Sequence, residues 1–272
     1  MQYEPIKKSI GRFFSGSLLM RKILYFLLDL LLLRAWHVKR ALKRIARELP
    51  NDASVLDAGS GFGQYTWRMS RMNRGWKIKA VDINPDHIED CKRFFSKARL
   101  SDRVVFTTGD LTALNDTSCY DLILSVDVME HIEEDVLVFK NFFCSLRENG
   151  TLVISTPSDQ GGSDVHDESE SSFIDEHVRD GYGIKDITEK LTLAGFTGIR
   201  AVYTYGTPGS ISWRLSMKYP VKMLNTSYIF FLLLPFYYIL FFPVSLILNV
   251  FDLLLTHKKG TGLLVTARKQ QN

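Results

Sequence analysis

From Ser54 onward the hydrophobic pattern becomes a repeating unit, a short apolar run followed by an amphipathic stretch, and this alternation constrains the chain more than any other feature. "SVLDAG", "WKIKAVDI", "RVVFTTGD", "YDLILSVD" and "TLVISTP" read as strands. Helices are predicted at 64–73, at 85–100 behind Pro85, at 133–150 up to Gly150, and at 184–196. "GIRAVYTY" and "TGLLVTARK" supply two final strands. Strands that alternate with helices build a parallel sheet with helices on both faces. The expectation is a Rossmann-like, doubly wound α/β domain formed by residues 50–205 and 261–270.

Two stretches interrupt the rhythm. Residues 157–183 are polar and acidic, and residues 206–260 contain "YIFFLLLPFYYILFFPVSLILNVFDLLL", 28 residues with one Asn, one Asp and no Lys or Arg. Both follow the carboxyl end of a strand, the edge where doubly wound sheets bind ligands. The apolar run is long enough to cross a bilayer, but two crossings need roughly 40 residues. It also lies between the sixth and seventh strands of one sheet, so its ends must sit on the same side of any membrane. Pro235 and Pro243 are expected to break a straight helix. Arg214, Lys218 and Lys222 precede the run and Lys258 and Lys259 follow it. Positive flanks favour the cytoplasmic side. Residues 206–260 are therefore expected to form a re-entrant or in-plane insertion, monotopic at the inner face of a membrane.

Residues 1–49 form a separate apolar and basic helical segment, with one helix predicted over 17–48. The first fifty residues hold eleven Lys and Arg against Glu4, Asp29 and Glu48, a net +8, while the remainder carries −4. Such a segment suits an anionic surface, nucleic acid or lipid headgroups. The basic stretch directly follows "ILYFLLDLLLL", which favours lipid. Cys91, Cys119 and Cys144 are odd in number and lack CxxC spacing, pointing to a reducing compartment and no zinc site. No secretory signal is expected at the N-terminus, whose apolar part starts late.

The turn after the first strand reads "VLDAGSGFGQYT", placing Asp57, Gly59, Gly61 and Gly63 as D-x-G-x-G-x-G. A G-x-G-x-x-G dinucleotide turn would need glycine where Gln64 stands. A carboxylate just before the loop suits a ligand bearing an ammonium group better than a pyrophosphate. Asp82 ends the second strand, where a carboxylate can accept both ribose hydroxyls. Asp110 ends the third strand in "TTGDL", and "DLILSVDVMEHI" carries Asp127, Glu130 and His131 past the fourth.

These motifs, "VLDAGSGFG", "AVDIN", "TTGDL", "YDLILSVDVMEHI" and "RENGTLVIS", resemble the class I S-adenosylmethionine-dependent methyltransferases over residues 50–205 and the last strand. The resemblance implies a seven-stranded sheet with an antiparallel last strand. It implies that Gly59 and Gly61, with Ser60 between them, pack against the methionine part of the cofactor. Asp82 would hold the ribose, Asp110 and Leu111 would frame adenine, and Ile83 would pack on it. Val126 would line the site near the sulfonium, and Asp57 would act through the loop and the amino group.

The sulfonium methyl is already activated, so the protein's task is alignment, plus a general base if the acceptor is a hydroxyl. His131 is the first candidate base and His177, in "DEHVRDGY", the second. Asp127, Glu130 and His131 would share one helical face at i, i+3 and i+4. They partly match the E-x-x-E-H of ubiquinone-pathway O-methyltransferases, which binds a divalent metal; no resident metal is expected, and this trio is the one set that could hold a hard cation. The long loop 157–183 is expected to close over the substrate.

The resulting expectation is methyl transfer, chiefly O-methylation, to a lipid-like or other hydrophobic small molecule at an anionic membrane surface. An RNA or soluble small-molecule methyltransferase and a non-catalytic membrane-anchored cofactor-binding module are the alternatives. The missing Asn-Pro-Pro-aromatic element after the fourth strand weighs against nucleic-acid base methylation, and the intact loop, Asp82 and Asp110 against the module.

Overall fold

The alternating pattern closes into one mixed sheet. The computed structural model describes residues 17–161, 178–227 and 230–270. Its strands are β1 Ser54–Ala58, β2 Lys77–Asp82, β3 Val104–Thr108, β4 Tyr120–Val126, β5 Leu146–Pro157, β6 Thr197–Thr204 and β7 Gly262–Arg268. Their order is β3-β2-β1-β4-β5-β7-β6. β1 pairs in parallel with β2 and β4, whereas β7 runs antiparallel to β5 and β6. The expected seven-stranded sheet with its reversed last strand is therefore present. The order turns back between β1 and β4, which makes their carboxyl ends the natural ligand crevice.

Both faces of the sheet are covered at its centre, which is why the central strands carry continuous apolar stretches such as Leu122–Leu124 and Leu152–Ile154 rather than strict alternation. Successive residues feed opposite cores: Val55, Leu122 and Leu124 pack with Val38, Leu42, Met69, Trp76 and Phe95, while Leu56 and Ile123 pack with Phe139, Phe142, Ile187 and Leu191. The helices supplying these layers are α1 Leu18–Leu31, α2 Leu33–Ile45, α3 Gln64–Met72, α4 Pro85–Lys97, α5 Asp135–Ser145 and α6 Ile184–Leu193.

Two helix boundaries differ from the sequence expectation. The helix predicted over 17–48 breaks at Leu32, which is extended at φ −89° and ψ 109°. Arg21, Tyr25, Leu33, His37, Ala41 and Ile45 are all buried, many of them four residues apart. Each four-residue step advances about 40° around a 3.6-residue helix. A straight helix would rotate that seam off the domain; the break redirects it. The helix predicted to reach Gly150 ends at Ser145, because Ser118 and Cys119 donate to the carbonyls of Cys144 and Ser145 and draw the chain into the sheet.

Between β6 and β7 stands a helical hairpin. Its first arm is α7 Thr207–Trp213, a π turn Arg214–Lys218 and α8 Tyr219–Thr226; its second is α9 Phe230–Leu254. Pro235 and Pro243 lie inside α9 without ending it, contrary to expectation. Each removes one backbone bond, and packing along α7–α8 keeps the flanking turns helical. In the first arm, Pro220 has no N–H to give Ser216, and the Tyr219 N–H goes to Arg214 rather than Leu215. The hydroxyls of Tyr237 and Tyr238 donate to those two carbonyls, Leu215 at 2.9 Å and Ser216 at 3.0 Å.

Among the described residues α9 alone is long and apolar enough to cross a bilayer. Its pattern is inverted relative to a soluble helix. Ser245, Asn249 and Asp252 form the buried stripe, while Phe231, Leu232, Phe236, Ile239, Leu240 and Leu254 are 66–74% exposed.

Candidate functional site

The crevice starts where β1 turns into α3. Gly59, Gly61 and Gly63 all have left-handed φ angles, 79°, 49° and 76°. At Gly59 a Cβ would stand 2.1 Å from Val128 Cγ2, so the backbone passes where no side chain fits. The N–H groups of Gly59 and Ser60 both donate to the Val81 carbonyl, at 2.8 and 2.9 Å, and tie the loop to β2.

Asp82 ends β2 facing this loop. One carboxylate oxygen accepts the Gly61 N–H at 2.7 Å and the other the Asn84 N–H at 2.9 Å. Burial raises its proton affinity, but hydrogen bonds from His87 and from these amides outweigh burial and hold the carboxyl below the usual range. Asp82 is thus a fixed anion, and each oxygen keeps acceptor capacity.

Asp57 behaves differently. It is buried beneath the loop and accepts the Thr66 hydroxyl. Burial pushes its carboxyl up to about 7 against that bond. Ile83 is 70% exposed beyond Asp82. Asp110 is exposed and caps the 3₁₀ turn Leu111–Ala113 by accepting the Thr112 N–H at 2.9 Å; Leu111 is buried. Val126 is half-buried at the end of β4. Asn141 of α5, which the sequence reading passed over, donates to the carbonyls of Leu111 and Thr112 at 3.0 and 2.8 Å and fixes this turn.

Past β4, Asp127 adopts a left-handed φ of 51° and Met129–His131 forms a 3₁₀ turn. The one-face arrangement expected for Asp127, Glu130 and His131 is not formed. Asp127 pairs with Arg34, Glu130 is buried and accepts the Thr156 hydroxyl at 3.1 Å, and His131 is exposed. Burial pushes the Glu130 carboxyl up. Among the described residues no three His, Cys, Asp or Glu side chains gather as a metal site. His177 and most of the predicted closing loop lie outside the described residues. The loop's return is anchored: Arg179 and Lys190 pair with Asp135, and the Tyr182 hydroxyl donates to the same carboxylate at 2.8 Å.

The largest omission from the sequence reading is Arg34. At the start of α2 it reaches across the crevice to Asp127, and its N–H donates to the Tyr205 hydroxyl at 2.9 Å. Its guanidinium sits beside Tyr65, yet Arg34 Nε and Tyr65 Oη each lack an aligned partner, as do Ser60 Oγ and Ser125 Oγ. Buried polar atoms without partners mark a place where something polar belongs. The available signal was Arg34's position as the first charge after "LLLL" and just before a run of buried positions.

A family model described as a methyltransferase domain matches residues 49–195. The mitochondrial ubiquinone biosynthesis O-methyltransferase of Candida albicans is 29% identical over 112 residues, 40% of this chain and 34% of that protein. The corresponding Schizosaccharomyces pombe protein is 32% identical over 109 residues, 38% of each. The chain thus spans little more than a third of the length of these curated relatives. Among solved structures, phosphoethanolamine N-methyltransferase 2 of Haemonchus contortus, in complex with S-adenosyl-L-methionine, aligns with a TM-score of 0.63 at 16% identity over 87% of this chain and 53% of that one. The [4+2]-cyclase SpnF aligns with a TM-score of 0.57 at 15% identity, covering 86% and 82%. At these identities the structures speak for the fold alone.

Proposed function

This chain belongs to the methyltransferase-domain family, and from that premise we propose that it transfers a methyl group from S-adenosylmethionine to a hydrophobic acceptor at a membrane surface. The cofactor fits the residues present. Asp82 offers a preformed, ionised acceptor pair for the ribose diol. Ile83, Asp110 and Leu111 would hold the adenine, and Gly59, Ser60 and Gly61 would offer backbone to the methionine part. Arg34 supplies a cation for the amino-acid carboxylate, and Asp127 an anion for its ammonium. Asp57 supports the loop from below. Val126, at the end of β4, would line the site near the sulfonium.

The bound cofactor supplies an activated methyl; the protein orients it and manages the acceptor proton. For a hydroxyl acceptor His131 is the base, being exposed after the fourth strand, whereas Glu130 is buried and its carboxyl, pushed up by that burial, is held by the Thr156 hydroxyl. The names of the relatives, ubiquinone biosynthesis O-methyltransferases, support a hydroxylated, hydrophobic acceptor.

The observation that carries the membrane part is the inverted helix α9. Its polar stripe faces protein and its apolar residues face outward, an arrangement stable only where the surroundings are apolar. Its 25 residues span about 37 Å. The hairpin nonetheless leaves from β6 and returns to β7, neighbours in one sheet. Its first arm carries Arg214, Lys218 and Lys222. Residues 206–260 therefore act as a monotopic insertion lying in the interface. The outer stripe of α1, Leu19, Ile23, Phe26 and Leu27, is exposed and apolar and joins the same surface. Exposed Lys39, Arg40, Lys43 and Arg44 of α2 and Lys258 and Lys259 below α9 suit anionic headgroups on the cytoplasmic side.

Titration calorimetry with S-adenosylmethionine tests the cofactor half. Asp82→Ala removes charge-assisted bonds worth about 1.5–3 kcal/mol each, so its affinity should fall at least tenfold. Equal affinity of wild type and variant would overturn the assignment.

A further inference from the structure

Asp252, at the base of α9, is the one acidic side chain of the apolar helix and is fully buried. Its carboxylate collects donors from every element that joins the hairpin to the domain. One oxygen accepts His37 Nε2 of α2 at 2.9 Å and the N–H of Tyr205, just past β6, at 3.2 Å. The other accepts the Gly209 N–H of α7 at 3.0 Å and lies 3.2 Å from His257 Nε2 on the return to β7, a ring nitrogen that also sits 2.9 Å from the Asp252 main-chain carbonyl. Gly209 has no room for a side chain, because a Cβ would stand 2.6 Å from Asp252 Oδ2. Burial raises the proton affinity of Asp252, and the His37 bond, the neighbouring His257 ring and the Gly209 N–H outweigh it, holding the carboxyl below its usual range.

A buried charge with this many partners is more than a helix terminus, because of what those partners hold. Tyr205 is fixed at both ends: its N–H on Asp252, and its hydroxyl under the Arg34 N–H at 2.9 Å. Its backbone is left-handed, with φ 54°, a conformation a tyrosine keeps only when its surroundings impose it. His37 lies three residues after Arg34, on the same face of α2. Both routes from Asp252, through His37 and through Tyr205, thus end at the helix turn that carries Arg34 to Asp127.

We propose that Asp252 is a positioning residue: it acts through Tyr205 and His37 to set Arg34 over the crevice, so that the membrane hairpin and the cofactor's amino-acid end share one hydrogen-bonded node. This rests on the reading that the crevice holds S-adenosylmethionine with its carboxylate at Arg34. In Asp252→Asn the shape is kept, but either orientation of the amide points an NH₂ at groups that are themselves donors.

The test is a double-mutant cycle on S-adenosylmethionine affinity, read by calorimetry on the full chain. Asp252→Asn should weaken binding about tenfold and Arg34→Gln at least as much, while the double variant should be no more than about twofold weaker than Arg34→Gln alone, because the two act in series. Combined with Asp82→Ala, by contrast, Asp252→Asn should multiply the losses. Flotation with phosphatidylglycerol vesicles should be unchanged in Asp252→Asn, since the outer face of α9 is intact. Should Asp252→Asn fail to fold, His37→Leu removes one donor and takes its place in the cycle. Unchanged affinity in the single variant, or fully multiplicative losses with Arg34→Gln, would overturn the proposal. If wild type binds no S-adenosylmethionine, the cofactor reading fails instead.

Discussion

The outward face of α9 gives a prediction whose size follows from the structure. Phe236 and Ile239 are 70% and 74% exposed and one turn apart. Fully burying such a side chain is worth about 1.5–3 kcal/mol. Inserting the exposed fraction into the interface is then worth about 1–2 kcal/mol each, or roughly 2–4 kcal/mol for the pair. Replacing both by serine removes this from the membrane-bound state and leaves the protein's own contacts almost untouched. The partition coefficient onto vesicles of phosphatidylglycerol and phosphatidylcholine should fall between about thirtyfold and a thousandfold, at 1.4 kcal/mol per decade. Thermal stability in detergent should stay within a degree or two of wild type. A loss under threefold would refute the argument, and so would wild type that stays soluble and monomeric without detergent and ignores vesicles.

Further outcomes follow from individual residues. Tyr238→Phe leaves the Ser216 carbonyl without its donor, since Pro220 has none to give, and should cost about 1–3 kcal/mol in urea unfolding; unchanged stability would contradict the role given to the tyrosine pair. Asp57 has its carboxyl raised to about 7 in the folded protein, against about 3.9 when unperturbed. Between about pH 4 and 7 the native state therefore binds more protons than the unfolded state, and stability should fall as pH rises through that window and level off above it. Asp57→Asn should flatten this slope, and parallel curves for variant and wild type would refute it. His131→Ala should lower kcat by about 10²–10⁴-fold on a hydroxyl acceptor with cofactor affinity unchanged; full activity would remove it from the mechanism.

All seven strands were legible in the sequence, the central ones as apolar runs with covered faces and the edge strands β3 and β6 as short runs rich in β-branched and aromatic residues between turn signals. The helix breaks were not. Leu32 is an unremarkable leucine in an apolar stretch, and only the seam on the domain beneath α1 and α2 makes it extended. Leu146–Gly150 looks helical by composition and becomes strand because β4 offers it partners. The acidic residues that close the parallel strands marked the crevice from sequence, since carboxylates at successive strand ends leave a pattern. Tyr65, Tyr205 and Asn141 leave none, and Arg34 only its place as the first charge after an apolar run: the four come from different elements, and only folding brings them to the crevice or its rim. The trio Asp127, Glu130 and His131 was misread for the opposite reason, because a left-handed Asp127 and a 3₁₀ turn replace the helical turn that the spacing assumed. The prolines of α9 misled too, as a rule for isolated helices gave way to packing against a second arm.

Purified protein incubated with methyl-tritiated S-adenosylmethionine, a membrane lipid extract and total RNA in parallel tests the central claim most directly. Label should appear in the organic phase of the lipid reaction, be lost with Asp82→Ala and be strongly reduced when residues 226–255 are deleted. Label confined to RNA, or label in neither fraction while the cofactor is bound, would contradict it.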